Sequence, residues 1–172
     1  MQEAVAKAPE LPPDLDWHMI GPLQSNKIKA AARLFDTVHS IDRVKAARLL
    51  DKEAGRLKRR IDVFIQVNVG REPEKHGFEP GQMSESVRPL QDLKHLRVVG
   101  LMAIPPYEED PDDARRWFRA LRELRDTAAS WPDWQDFPGY LSMGMSHDFE
   151  VAVEEGATHV RVGTDIFGSR DD

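Results

Sequence analysis

Two short segments near the carboxyl end of the chain have the residue types of a phosphate site. The first, residues 141–150, has the sequence LSMGMSHDFE, and the second, residues 161–164, has the sequence RVGT. Each runs from a predicted strand through a turn of small residues into a predicted helix start, where backbone N–H groups have no partner within the helix. Two neighbouring turns of this kind would converge on one anion, and we therefore predict a site that holds the phosphate of a cofactor.

The first turn contains a glycine and a serine in useful positions. Gly144 permits close approach of the backbone, and Ser146 is predicted to be the N-cap of a helix that runs through Glu155. The residue three positions after Ser146 is Phe149 rather than Glu or Gln. A reciprocal capping box is therefore absent, and the first N–H groups of the helix are freer to meet a ligand. A simple helix cap would explain Ser146 equally well.

The second turn again places small residues at a strand end. Gly163 and Thr164 follow the predicted strand, and Arg161 is on the same side of that strand as Gly163. A strand arginine paired with an acidic neighbour is the alternative interpretation of Arg161. Either turn alone would be a weak signal, but two turns separated by one βα unit form a more specific pattern.

Other polar residues near predicted strand ends have ordinary explanations. Lys27 is at a helix start, where a solvated cation is typical, and Asn68 could equally be a satisfied turn amide. His18 is interpreted as a half-buried, hydrogen-bonded histidine, because no second His or carboxylate has metal-ligand spacing with it.

Composition narrows the class of protein. The chain has 172 residues, with 24 Lys and Arg against 30 Asp and Glu, and this acidic balance argues against a general nucleic-acid binder. The absence of cysteine excludes disulfides, thiolate metal sites and a cysteine nucleophile, and it favours a reducing cytoplasm. No apolar run approaches the roughly 20 residues of a membrane span, and no export signal is visible. We expect one domain over residues 1–172.

Apolar β-rich runs alternate with helical patterns along the chain. The predicted strands are residues 17–21, 37–40, 61–69, 96–103, 140–143 and 158–162. The clearest predicted helices are residues 24–34, 42–58, 110–130 and 146–155, and residues 131–138 are predicted to form a loop. Six strands that alternate with helices imply parallel pairing with right-handed crossovers, which is an α/β fold. In such folds, function collects where strands end and loops begin.

Four motifs in this chain resemble the pyridoxal phosphate homeostasis protein family. They are residues 17–27 (WHMIGPLQSNK), 100–106 (GLMAIPP), 141–149 (LSMGMSHDF) and 161–170 (RVGTDIFGSR). The resemblance covers essentially the whole chain. It implies the (β/α)8 TIM-type barrel of the alanine racemase N-terminal domain. It also implies a cytosolic carrier that holds pyridoxal 5′-phosphate and buffers vitamin B6 supply without established turnover, with apo forms of pyridoxal-phosphate enzymes as the protein partners.

The resemblance also assigns residues to the cofactor. Ser146 and the backbone of Gly163 and Thr164 would hold the phosphate. Arg161 would face the pyridine nitrogen, where a cation keeps that nitrogen unprotonated and weakens the ring as an electron sink. Two further residues would line the ring: Asn68 and Met143. The signature that contains His18, Asn26 and Lys27 is given no role.

The chain departs from the family at its first residues. Family members begin with a strand that carries the lysine bonded to the cofactor, and a Gly-Glu-Asn signature then leads into the Gln-Glu-Ala seen here at residues 2–4. We therefore expect this chain to lack about the first two strands of the barrel. Either Met1 is an internal methionine taken as a start, or the truncation is real; the first explanation is favoured, because the edges at residues 17–21 and 158–162 would otherwise be unpaired.

None of the lysines is predicted to lie on a strand. They are Lys7, Lys27, Lys29, Lys45, Lys52, Lys58, Lys75 and Lys94. Lys27 and Lys75 are closest to predicted strand ends, but we expect neither to replace the family lysine. Binding of pyridoxal phosphate is therefore expected to be non-covalent.

Two other functions are compatible with the same residues. An amino-acid racemase-like enzyme would need two opposed acid/base groups at the faces of the cofactor, usually a lysine and a tyrosine. The only tyrosines are Tyr107 and Tyr140, and Tyr140 is predicted at the strand end away from the site. The remaining alternative is a cofactor-free protein that binds a partner.

Overall fold

Six parallel strands lie side by side in the order in which they occur in the chain. They are β1 (His18–Met19), β2 (Thr37–Ile41), β3 (Ile61–Gln66), β4 (Leu96–Met102), β5 (Tyr140–Met145) and β6 (His159–Arg161). The computed structural model describes residues 1–132, 134 and 136–168. All six predicted strands are present, and their parallel pairing confirms the predicted α/β fold.

Most of the helices follow a strand and pack on the outer face of the sheet. They are α1 (Gln2–Lys7), α2 (Ile28–Leu34), α3 (Val44–Arg56), α4 (Met83–Val87), α5 (Arg115–Ala128), α6 (Phe149–Glu154) and α7 (Thr164–Phe167). Helix α1 precedes the sheet and buries none of its residues. Within the part of the chain that the structure describes, no helix is long and apolar enough to cross a bilayer.

The long helices form where apolar residues recur at helical spacing. In α3, Ala46, Leu50 and Ala54 are buried at intervals of four residues, so one side of the helix packs on the sheet. Helix α5 is preceded by a short 3-10 turn in which Asp110 accepts a hydrogen bond from the backbone of Asp112. The segment predicted to be helical from residue 110 therefore begins with this capped 3-10 turn, and the α-helix itself runs only from Arg115 to Ala128.

The two faces of the sheet differ in chemistry. On β3, Ile61, Val63 and Ile65 point outward into the large apolar core beneath the helices. Phe64 points to the other face, where it packs with Val99 and Met102 in a small separate cluster. The rest of this inner face carries polar side chains, which is where the candidate site is found.

The sheet is strongly curled. In a flat sheet the first and last of six strands would be about 24 Å apart, since neighbouring strands are spaced by about 4.8 Å. Here the ring of His18 on β1 lies 6.0 Å from the ring of His159 on β6. The polar inner face is therefore concave, and side chains from both edge strands meet inside it.

The structure corrects several boundaries. The strand predicted for residues 61–69 ends at Gln66, and the strand predicted for residues 17–21 contains only His18 and Met19. The helix predicted from Ser146 begins instead at Phe149. The predicted loop at residues 131–138 is ordered by aromatic contacts, with Trp134 buried between Trp131 and Phe137; Asp133 and Gln135 are outside the described residues.

Gly144 is required at the end of β5 for two reasons. Its φ is +91°, and a Cβ atom at this position would lie 2.6 Å from the Cβ of Ala152 on α6. The close approach predicted for Gly144 is therefore an approach to helix α6, which fixes the direction in which the chain leaves β5.

We expect the substitution Gly144→Ala to lower the free energy of unfolding by about 2–4 kcal/mol, through backbone strain and overpacking. Gly81 is the matched control, because it has open space around it and no positive φ. Urea unfolding of Gly81→Ala should show a change of no more than about 1 kcal/mol. Equal effects of the two substitutions would contradict this account of Gly144.

Candidate functional site

A cavity of about 1200 Å³ opens where several strands reach their carboxyl ends. Its walls come from the segments that follow β1, β4, β5 and β6. Four of the six predicted site residues line it: Ser146, Arg161, Gly163 and Thr164. The structure thus brings these four together in one place.

Ser146 connects the two predicted turns. Its hydroxyl oxygen accepts hydrogen bonds from the backbone N–H groups of Gly163, at 3.2 Å, and Asp165, at 3.4 Å. Among the described residues, the N–H group of Thr164 between them has no hydrogen-bond partner. A cluster of amides that collects on one oxygen atom is suited to hold an oxygen of a phosphate.

Ser146 does not act as the predicted helix cap. Helix α6 begins at Phe149, after a turn in which the side chain of Asp148 accepts from the backbone N–H of Met145 at 2.7 Å. The Asp148 carboxylate closes this turn, so the hydroxyl of Ser146 is directed to the second turn instead. The capping interpretation of Ser146 is therefore wrong.

Arg161 is buried beside this amide cluster. It donates from Nη1 to the hydroxyl of Ser142 at 3.0 Å, and from Nη2 to the carbonyl oxygen of Ala103 at 2.9 Å. Both acceptors are neutral, so the alternative of a strand arginine paired with an acidic neighbour is wrong. Burial lowers the pKa of the Arg161 guanidinium to about 10, an effect that the Asp148 carboxylate partly opposes. The guanidinium is therefore charged at neutral pH, with no carboxylate bonded to it among the described residues.

Histidines extend this polar cluster across the concave face. His39 Nδ1 lies 2.7 Å from the hydroxyl oxygen of Ser142, and His39 Nε2 lies 2.9 Å from His18 Nδ1. The ring of His39 also stacks on Phe64, with 4.2 Å between centroids. His18 is therefore hydrogen-bonded, as predicted, but its residue is exposed rather than half-buried.

His39 is neutral in the folded chain. Burial is the main reason that its pKa is lowered to about 3. Three positively charged or titratable neighbours lower the pKa further: His18, His159 and Arg161. Sequence reasoning missed His39. Its neighbour Val38 packs in the outer core, so alternation along β2 directs His39 to the inner face.

Two predicted ring-lining residues are placed elsewhere. Met143 is fully buried in the outer core with Leu141, whereas Ser142 between them points to the inner face. Asn68 is used by its own turn: its side chain donates to the carbonyl of Glu72 at 2.8 Å and accepts from the N–H of Glu72 at 3.2 Å. Neither residue is among those that line the cavity. The alternative interpretation of Asn68, a turn amide whose hydrogen bonds are satisfied locally, is the one that the structure supports.

The lysines are where the sequence predicted them to be. All eight are described, and none lies on a strand. Lys27 ends the 3-10 turn before α2, and Lys75 is in the loop after β3. The ammonium of Lys75 pairs with Glu72 at 2.6 Å and lies 3.4 Å from the carbonyl oxygen of Pro105, which lines the cavity. No lysine itself lines the described cavity.

The rim of the cavity contains residues that the sequence analysis did not assign. Tyr107 stacks on His147 with 5.2 Å between ring centroids, and His147 Nε2 lies 3.1 Å from the carbonyl oxygen of Glu108. The loop after β4 thus contacts the turn after β5. No signal in the sequence links these loops, because the contact spans about 40 residues of chain.

The neutral state of His39 makes stability depend on pH. An unfolded histidine titrates near pH 6.5, so the contribution of His39 is fully present above that pH and is lost as the pH falls toward 3. We expect this loss to reach about 1.4 kcal/mol per pH unit below pH 6. Urea unfolding between pH 7.5 and 4.5 should show a smaller slope for His39→Gln than for the unsubstituted chain. The exposed His147 provides the control His147→Gln, and equal slopes in all three proteins would contradict the burial of a neutral His39.

Comparison with known proteins shows what this chain is similar to. The family model of the alanine racemase N-terminal domain matches residues 1–171. The pyridoxal phosphate homeostasis protein of Aquifex aeolicus is 48% identical over 157 residues, which are 91% of this chain and 68% of that protein. The protein of the same name from Pseudomonas aeruginosa is 41% identical over 172 residues, covering 99% of this chain and 72% of that protein.

Solved structures give the same result. PipY of Synechococcus elongatus, determined without pyridoxal phosphate, has a TM-score of 0.86 at 38% identity, covering 97% of this chain and 78% of that chain. PipY with pyridoxal phosphate bound has a TM-score of 0.82 at the same identity and coverage. An alanine racemase of Clostridium difficile has a TM-score of 0.71 at 13% identity, covering 99% of this chain and 44% of that chain. That last likeness concerns the fold alone.

Proposed function

Since this chain belongs to the alanine racemase N-terminal domain family and, within it, to the pyridoxal phosphate homeostasis proteins, we propose that it is a carrier of pyridoxal 5′-phosphate. The carrier takes part in vitamin B6 homeostasis and performs no catalytic turnover. The observation that carries this proposal is the contact of the Ser146 hydroxyl with the amides of Gly163 and Asp165, next to the buried guanidinium of Arg161.

The phosphate group would be held by the two turns. The Ser146 hydroxyl marks a point at which two N–H groups already converge. The N–H of Thr164, which has no partner within the described part of the chain, lies between them in sequence. A phosphate oxygen offers the same kind of acceptor with more negative charge, so it would strengthen these hydrogen bonds. In this arrangement Ser146, Gly163 and Thr164 bind the phosphate.

Arg161 would face the pyridine nitrogen of the bound cofactor. Its two observed hydrogen bonds leave three of the five guanidinium N–H groups for a ligand. Pyridoxal phosphate supplies an aldehyde and an electron-withdrawing ring when bound. A permanent cation beside the ring nitrogen disfavours its protonation, and this suits storage of the cofactor better than catalysis.

The geometry favours a carrier over a racemase-like enzyme. Among the described residues, no lysine lines the cavity. Tyr140 begins β5, at the opposite end of that strand from the cavity, and Tyr107 on the rim is 78% exposed. No lysine and tyrosine of the described chain therefore oppose each other across the site, and binding of the cofactor is non-covalent.

The curled sheet is compatible with the (β/α)8 barrel that the motifs implied. We infer that β1–β6 correspond to six consecutive strands of such a barrel, in which β1 and β6 each have a further strand as neighbour. The TM-score of 0.86 with PipY supports this correspondence. A cytoplasmic location, with apo forms of pyridoxal-phosphate enzymes as recipients, belongs to the same proposal.

The phosphate contacts lead to a test by calorimetry. We expect Ser146→Ala to weaken binding of pyridoxal phosphate by about tenfold, because it removes a charge-assisted hydrogen bond. Ser84→Ala, at an exposed position of α4, should bind as the unsubstituted chain does. Pyridoxal, which lacks the phosphate, should bind much more weakly to all three proteins. Equal affinities for pyridoxal and its phosphate would contradict the proposed site.

The absence of a lysine from the described cavity leads to a second test. Borohydride treatment of the chain with pyridoxal phosphate should leave no reduced adduct in the intact mass, and dialysis should release the ligand. A stoichiometric adduct mapped to Lys27 or Lys75 would overturn the non-covalent mode. Lys27→Arg and Lys75→Arg distinguish a specific adduct, which one of them would abolish, from random surface labelling, which neither would abolish.

A further inference from the structure

Ser142 and His39 form a buried polar pair that does not itself line the cavity but contacts Arg161, which does. Ser142 is on β5 and His39 is on β2, and they meet across the concave face with 2.7 Å between Oγ and Nδ1. Both side chains are buried in the described structure, where polar groups need hydrogen-bond partners. Arg161 is in contact with this pair and donates to Ser142 Oγ at 3.0 Å.

The hydrogen bonds of this cluster have one direction. A guanidinium can only donate, so the Ser142 oxygen accepts from Arg161. The serine oxygen has a second lone pair, but among the described residues the only acceptor for its own hydroxyl hydrogen is His39 Nδ1. The buried hydroxyl is therefore satisfied when Nδ1 is the unprotonated nitrogen of that ring. His39 therefore carries its hydrogen on Nε2 and donates it to His18 Nδ1 at 2.9 Å. The order of donation is Arg161, Ser142, His39, His18.

We propose that Ser142 and His39 are positioning residues that hold the Arg161 guanidinium at the pyridine nitrogen of the cofactor. With His18 they form a chain of hydrogen bonds, the Arg161 relay, whose direction is set by the permanent cation. This inference rests on the proposed function, because it names the residues that orient one group of that same site.

Two contacts, one on β5 and one just after β4, fix the guanidinium plane. Ser142 on β5 accepts from Nη1, and the carbonyl oxygen of Ala103 after β4 accepts from Nη2. Loss of the Ser142 hydroxyl would leave only the Ala103 contact, around which the guanidinium can turn. His39 acts one step further back, because its Nδ1 holds the Ser142 hydroxyl in the rotamer that exposes a lone pair to Arg161.

The neutral state of His39 is compatible with this role. A protonated imidazole would have to donate from Nδ1, which would reverse the bond to Ser142 and place a second cation beside Arg161. The lowered pKa of His39, caused mainly by burial, avoids both effects at neutral pH.

A pair of ligands separates positioning from general structural support. One ligand is pyridoxal phosphate, and the other is its 1-deaza analogue, in which a C–H group replaces the ring nitrogen. We expect Ser142→Ala to weaken binding of pyridoxal phosphate by about tenfold, since a hydrogen bond to a charged group is misaligned. Binding of the deaza analogue should be unchanged, and Ser84→Ala should alter neither affinity. Equal losses for both ligands, or no loss for either, would overturn the proposal.

His39 provides a graded pair of variants. The side-chain oxygen of His39→Asn can still accept from Ser142, whereas His39→Leu offers no acceptor. The asparagine variant should therefore retain more affinity for pyridoxal phosphate than the leucine variant, with no such difference for the deaza analogue. Identical losses in the two variants would contradict a relay through the hydroxyl of Ser142.

A measurement without any variant or ligand keeps the proposal testable if the substituted chains do not fold. Long-range ¹H–¹⁵N NMR spectra of the full chain should show His39 with its hydrogen on Nε2, and the opposite tautomer would overturn the relay. A chain that binds neither ligand contradicts the proposed function and the positioning role together. If the unsubstituted chain binds pyridoxal phosphate and Ser142→Ala binds it with the same affinity, only the relay is contradicted.

Discussion

Backbone amides that have no acceptor within their own helix or strand, after two neighbouring strands, are the constraint on which the candidate site depends. Parallel pairing brings the carboxyl ends of β5 and β6 to the same edge of the sheet, so the turns that follow them meet. The N–H groups of Gly163 and Asp165 need an acceptor, and the hydroxyl of Ser146 supplies one. The same geometry that satisfies these amides within the protein makes them available to the oxygen atoms of a phosphate.

The division of the sheet into an apolar and a polar face explains how a charged group can be kept beside this site. Stability comes from the outer face, where alternate residues of each strand pack under the helices. The inner face has only a small apolar cluster around Phe64, so it can contain Arg161, Ser142 and His39. A buried cation is costly unless it is hydrogen-bonded, and here neutral acceptors satisfy it without cancelling its charge. That charge remains to act on a ligand.

Sequence reasoning predicted the features that depend on local pattern. The six strands and helix α3 follow from periodicity, and the structure has all of them. The cap at Asp110 is also present, but it starts a 3-10 turn and the α-helix begins at Arg115. The contact between the two phosphate-suited turns followed from strand order alone. The placement of Met143 was wrong because alternation along β5 puts it on the face opposite Ser142, so a motif match is an insufficient guide to side-chain direction.

Features that depend on register or on distant contacts were not predictable. His39 and Ser142 are separated by 103 residues, and only the curl of the sheet brings them together. The cap of α6 was assigned to Ser146 because a serine before an apolar run is typical of an N-cap, but the nearby Asp148 closes the turn. Asn68 was assigned to the ring by resemblance, whereas its contacts with Glu72 are local.

The most direct test of the central claim is an amide ¹H–¹⁵N NMR titration of the chain with inorganic phosphate. We expect saturable shifts of the Gly163, Thr164 and Asp165 amide resonances, because their N–H groups would change acceptor from the Ser146 hydroxyl or water to a phosphate oxygen. A titration that moves none of these resonances, or moves them only as much as exposed amides elsewhere in the chain, would contradict it.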